Sequence, residues 1–195
     1  LKALNKETRT FICGSDQIWR YRYIKNHGKD VYALNFADTS AKKIAYAASF
    51  GTNTFEGTDR DFLSFKYHLS RLHHISVREK DGVDICKQLF NVAATHVLDP
   101  VFLVDKVVWE NLAKKSTNKE TPLLVSYIID HTTTTEAIIS QAERYFHTPN
   151  FNFNDAQKHT KQKESVENFL YKIQNCKFFI TDSFHGLCMA IIFNK

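Results

Sequence analysis

The chain is poor in residues that loosen or staple a backbone: six glycines, three prolines and four cysteines among 195 residues. So little glycine and proline excludes a collagen-like or low-complexity chain and argues against a disordered tail. Cys13, Cys86, Cys176 and Cys188 lack metal-type spacing, and most of them lie in or beside apolar runs. They read as reduced core residues of a cytoplasmic protein, not as a disulfide framework or zinc site. No apolar run approaches the ~20 residues that span a bilayer, and the first residues do not read as a signal peptide. Membrane association is therefore expected to be peripheral, at the inner face. Internal repeats are absent, as are GxGxxG, the P-loop, HExxH and GxSxG, so the usual nucleotide and hydrolase signatures are missing.

What the chain does have is aromatic bulk, sixteen Phe and eight Tyr, enough to fill the core of one large or two small domains. The formal charge of +5 is dispersed except in Lys158-His159-Thr160-Lys161-Gln162-Lys163. That run reads as a solvated loop, because it lacks the interleaved aromatics of a nucleic-acid groove, and no nucleic-acid partner is expected. A slightly basic surface suits an anionic small substrate or a membrane face without choosing between them.

Apolar runs with strand character alternate with stretches of helical spacing. Residues 10–15, 42–51, 73–79 and 94–99 read as strands, with a helix carrying Phe62, Phe65, Leu69 and Leu72 between the second and third. A further helix carries Val83, Cys86, Leu89 and Phe90 after the third strand, and a short one covers residues 107–113. The polar stretch 114–121 is the expected linker between a first domain, 1–113, and a second, 122–195. In the second, strand 123–129, a helix from about residue 134 to 146, an irregular stretch 147–163, helix 165–174 and strand 177–181 follow in order. The expected fold class is α/β with mostly parallel sheets in two Rossmann-like halves.

Candidate functional residues fall where these strands end. Gly186 opens an apolar helix after Lys177-Phe178-Phe179-Ile180, and Ser183 and His185 sit in the turn between them. A hydroxyl and an imidazole at a helix N-terminus suit an anion; the plainer alternative is that Ser183 only caps the helix and His185 is a half-buried turn residue. Asp16, beside Ser15, Gln17 and Trp19, stands at the end of the first strand. A carboxylate there can take protons from sugar hydroxyls while an indole stacks on the ring, or Asp16 caps the turn and Trp19 is core. Ser49 ends the second strand and Arg78 the third; Arg78 can grip an anion bidentately or pair with Glu79 or another acid. The adjacent His73 and His74 point to opposite faces of a strand and cannot chelate one metal together.

Five blocks together, Phe11-Ile12-Cys13-Gly14-Ser15-Asp16-Gln17-Ile18-Trp19, Ile44-Ala45-Tyr46-Ala47-Ala48-Ser49-Phe50-Gly51, Ile75-Ser76-Val77-Arg78-Glu79, Val97-Leu98-Asp99-Pro100 and Thr181-Asp182-Ser183-Phe184-His185-Gly186, resemble the polysaccharide pyruvyl transferase family in its order. The resemblance implies two Rossmann-like domains facing across a cleft, as in two-domain glycosyltransferases. It implies transfer of a pyruvyl group from phosphoenolpyruvate, as co-substrate with no further cofactor and no metal, to hydroxyls of a sugar or lipid-linked glycan acceptor, forming a ketal. By that resemblance His185 and Arg78 would be donor ligands and Asp16 the acceptor-side base, so that Asp16 and His185 would be catalytic; Ser183 and Gly186 are expected beside them at the donor, and Ser15, Gln17, Trp19 and Ser49 with Asp16 at the acceptor. Arg20-Tyr21 stands where the family often has Asn-Pro, and the family's upstream and downstream strands have no counterpart in residues 1–195, so a fragment is expected. The competing expectations are a glycosyltransferase of the same architecture using a nucleotide-sugar donor, and a non-catalytic glycan-binding protein.

Overall fold

Thr10–Cys13 (β1) alternates exposed and buried residues, and Lys42–Ala48 (β2) buries Lys43, Ala45, Ala47 and Ala48, the period-two signature of strands covered on one face. In the computed structural model, which describes residues 1–26, 28–154 and 164–195, these strands pair in parallel with His74–Val77 (β3) and Thr95–His96 (β4) in the order β1-β2-β3-β4. The basic run 158–163 lies outside the described residues. Tyr21–Ile24 (α1) follows β1, Asp59–Leu69 (α2) joins β2 to β3, and Lys80–Ile85 (α3), continued by a wider turn over Cys86–Phe90, joins β3 to β4. Thr58 starts α2 with a reciprocal cap: its hydroxyl accepts from Asp61 N–H while the Asp61 carboxylate accepts from Thr58 N–H.

The core of this first unit, Leu1–Pro100, is aromatic. Trp19 is fully buried against Phe50 and Phe65, with ring centroids 5.2 and 5.8 Å away, and Phe50 stacks on Phe90 at 5.9 Å. Burying each such ring contributes about 2–3 kcal/mol, which fixes the loop after β1 to α2.

β2 carries an extra residue against β3: Ala45 pairs with Ile75 and Ala48 with Val77, leaving Tyr46 and Ala47 opposite Ser76. Ala47 has φ 53°, in the left-handed region. The Ser76 hydroxyl fills the gap, donating to Ala45 O and accepting from Ala47 N–H, both at 3.1 Å. The bulge re-aims the end of β2, so that Ala48 bridges to Asp16 and its carbonyl accepts from Arg78 N–H at 3.1 Å.

The second unit, Val101–Lys195, begins with Lys106–Lys114 (α4), which packs on Val166–Asn175 (α6) and buries Ala113 in a core with Phe153, Leu170 and Ile173. Contacts thus divide the chain between Pro100 and Val101, ahead of the polar stretch 114–121. Leu124–Tyr127 (β5) lies between Asn150–Asn152 (β6) and Phe178–Thr181 (β7), all parallel, giving the order β6-β5-β7. Thr133–Phe146 (α5) links β5 to β6, α6 links β6 to β7, and Phe184–Ile192 (α7) follows β7. The chain is α/β, with parallel sheets in both units. β6 lies in the stretch expected to be irregular: Asn-Phe-Asn is too short and too polar to read as a strand, and pairing with β5 makes it one.

Candidate active site

In the first unit, Ser15, Asp16, Ser49, Arg78, Glu79 and Asp99 converge at the carboxyl ends of the strands. Arg78 is buried, and its guanidinium meets carboxylates on every nitrogen: Nε lies 3.1 Å from Glu79 Oε1, Nη1 3.3 Å from Asp99 Oδ2 and Nη2 3.6 Å from Asp16 Oδ1. Asp99 is fully buried and also accepts from the Ser15 hydroxyl, while Glu79 accepts from the Ser49 hydroxyl at 2.6 Å. Three carboxylates thus share one guanidinium.

Asp16 is the exposed member, with 64% of its side chain open to solvent. Its backbone is left-handed at φ 75°, a conformation Asp tolerates, and its Oδ1 accepts from Gln17 N–H at 2.8 Å. Its carbonyl accepts from Ser49 N–H at 3.0 Å, so the turn is welded to the end of β2.

Three expected acceptor residues are engaged elsewhere. Trp19 belongs to the core, with no face open for a sugar to stack on, and its Nε1 donates to Tyr32 O at 3.0 Å. Ser49 is fully buried and spends its hydroxyl on Glu79. The Gln17 amide oxygen accepts from Arg20 Nη1 at 2.8 Å and lies over Gly51, where a Cβ would come within 2.5 Å of it. Arg78, expected to grip a donor, has instead the acid partners given as its alternative.

In the second unit, the β7–α7 turn is wired by its own side chains. Thr181 Oγ1 donates to Tyr127 O at 2.7 Å and accepts from Ser183 N–H at 3.0 Å. The Ser183 hydroxyl caps α7 by accepting from Gly186 N–H at 3.2 Å. Gly186 is needed for space, because a Cβ there would sit 2.6 Å from Thr181 Oγ1. Ser183 and Gly186 therefore build the turn, and His185, half-buried with its ring edge-on to Phe184, is the group there that can exchange a proton. The Asp182 carboxylate accepts from Ile129 N–H at 2.7 Å and Asp130 N–H at 2.9 Å, tying this turn to the loop after β5. Asp182, Thr181, Glu79, Asp99 and Ser76 were not singled out as site residues; their signal in sequence is only position at or near a strand end.

The strand order locates the binding crevice of this unit. From β5 the chain goes to β6 on one side and then to β7 on the other, so the β5/β7 boundary is a topological switch point. Ligands of open parallel sheets bind outside the carboxyl ends at such a point, where the two connections diverge. His185 and the Asp182 tether stand there. The first sheet runs β1-β2-β3-β4 without a reversal among its described strands.

Among the described residues, no group of three or more His, Cys, Asp or Glu side chains could hold a metal ion, and no helix is long and apolar enough to cross a membrane. A family model described as polysaccharide pyruvyl transferase matches residues 2–195, essentially the whole chain. No curated protein and no solved structure matches it.

Proposed function

Because this chain belongs to the polysaccharide pyruvyl transferase family and is thus a transferase acting on polysaccharide, we propose that it moves a pyruvyl group from phosphoenolpyruvate to two hydroxyls of a sugar, forming a ketal. Each unit is read as a Rossmann-like half, the first carrying acceptor chemistry and the second donor chemistry. The observation that carries the reading is the placement of His185 at the β5/β7 switch point on the first turn of α7.

His185 protonates the methylene carbon of the donor, leaving a cation-like carbon that bears the carboxylate and the phosphate oxygen. A sugar hydroxyl attacks that carbon and gives up its proton to a general base. The carbon–oxygen bond to phosphate breaks, and a second hydroxyl of the same sugar closes the ketal. Two hydroxyl protons are released, one replacing the proton given to carbon and the other leaving with phosphate. General acid and general base each supply on the order of 100-fold or more. In this scheme Arg78 serves the acceptor half: it orients Asp16, with Glu79 and Asp99 fixing the guanidinium. Acceptors are a cell-surface polysaccharide or its lipid-linked precursor, met in the cytoplasm at the membrane face.

The test is phosphate release and mass gain by a panel of glycans incubated with phosphoenolpyruvate. Asp16→Asn should abolish transfer and keep donor binding, whereas His185→Ala should abolish transfer and weaken donor binding about tenfold or more. Transfer from a nucleotide sugar, with none from phosphoenolpyruvate, would contradict the reading.

A further inference from the structure

One imidazole on the donor side is used by none of this. His131 follows the loop after β5, is exposed, and has Nε2 2.9 Å from Asn154 Nδ2. The same Asn154 nitrogen also contacts Ile128 O. A carbonyl only accepts, so the atom facing it is the amide nitrogen, and the side chain cannot be flipped. His131 Nε2 must then accept from Asn154, which in a neutral ring places the proton on Nδ1. Asn154 thus selects the tautomer of His131 in which Nδ1 is the donor.

The location is the switch point already described. Tyr127 pairs with Thr181 in register, and His131 and His185 each lie four residues beyond that pair. The Asp182 carboxylate binds Ile129 and Asp130, the residues just before His131. One carboxylate therefore sets the spacing between the segment bearing His131 and the turn bearing His185. Asn154 closes the rim from the third strand end, β6.

We propose that His131 is a second donor-binding residue, whose Nδ1–H hydrogen-bonds a phosphate or carboxylate oxygen of phosphoenolpyruvate, and that Asn154 is the positioning residue that fixes this tautomer. The assignment rests on the phosphoenolpyruvate reading above. A ring N–H with a fixed direction distinguishes bound oxygens by geometry, where a mobile lysine would supply only charge. In this reading His131 shares with His185 the work of holding the anion.

The tautomer makes the test sharp. An Asn side chain places its amide N–H near the position of Nδ1, whereas Gln reaches toward that of Nε2. Phosphoenolpyruvate titrated calorimetrically should bind His131→Asn within about threefold of wild type and His131→Gln about tenfold or more weaker. Asn154→Ala should match His131→Ala, and the double variant should be no weaker than either single one, since both remove the same contact. Equal affinities for the Asn and Gln variants, or wild-type affinity in Asn154→Ala, would overturn the proposal while the donor reading stands. Failure of the wild-type protein to bind phosphoenolpyruvate would overturn both. Independently of any ligand, nitrogen-15 imidazole spectra should place the neutral His131 proton on Nδ1; a proton on Nε2 would overturn the tautomer assignment.

Discussion

Arg78 Nη2 lies 3.6 Å from Asp16 Oδ1, joining a buried cation to the one largely exposed carboxylate of its cluster. Asp99, behind it, has no exposed side-chain surface, so removing the guanidinium leaves a buried charge without this cation. Arg78→Met should destabilise the first unit by about 3 kcal/mol in urea unfolding, and adding Asp99→Asn should recover part of that loss. Arg78→Lys, a point charge that cannot reach three carboxylates at once, should lower transfer while leaving phosphoenolpyruvate affinity unchanged by calorimetry. A folded Arg78→Lys protein that no longer binds the donor would return Arg78 to the donor site.

Gly186 supplies room for the turn that carries His185. The Thr181 hydroxyl 2.6 Å from a Cβ at this position is held by both Tyr127 O and Ser183 N–H, so it cannot swing aside without breaking them. Gly186→Ala should cost about 1–3 kcal/mol in denaturant unfolding. Combining it with Thr181→Ala, which removes the clashing oxygen, should cost less than the sum of the two single changes.

Acid should weaken the first unit through His68. Burial pushes its pKa below the ordinary 6.5, with Asp30 opposing and Arg71 and Lys43 adding to the shift. Nδ1 is buried without a hydrogen-bond partner among the described residues, and Nε2 stands 4.0 Å from Asp30 Oδ2. The native state holds fewer protons on this ring than the unfolded chain. Its contribution is therefore intact above pH 6.5 and is lost as pH falls through the lowered value. Urea midpoints followed downward from neutral pH should decline, and His68→Gln should flatten that decline.

At the alkaline end, burial raises the thiols of Cys13 and Cys86 to about 12 from an ordinary 9.0. Both should resist a thiol reagent at neutral pH until urea exposes them. Here the native state holds more protons, so stability is intact below pH 9.0 and is lost as pH rises toward about 12.

Much of this architecture was legible because its elements carry their own period. The helices at 59–69 and 166–175 follow from apolar spacing and from cap residues before them, Thr58 or Asp59 for the first and Ser165 for the second, and in the structure Thr58 and Ser165 make the cap hydrogen bonds. β6 escaped notice because three residues show no period, and each pairs with a residue 26 positions earlier in sequence. At the candidate site, Asp16, Arg78 and His185 were singled out from residue type and position at a strand end. What position could not supply was the direction of each side chain. Trp19 faces inward because Phe50 and Phe65 fill the space behind it, and the partners of Arg78 come from separate strand ends. The Ala47 bulge is invisible in a run of alanines, since it depends on a hydroxyl supplied by Ser76 of the next strand.

The central claim is that His185 serves a phosphoenolpyruvate site, and calorimetric titration of phosphoenolpyruvate into the wild-type chain and His185→Ala tests it most directly. The account predicts saturable binding by the wild type, weakened about tenfold or more in the variant. Equal binding by both proteins would contradict the assignment of His185, and no binding by the wild type would contradict the donor.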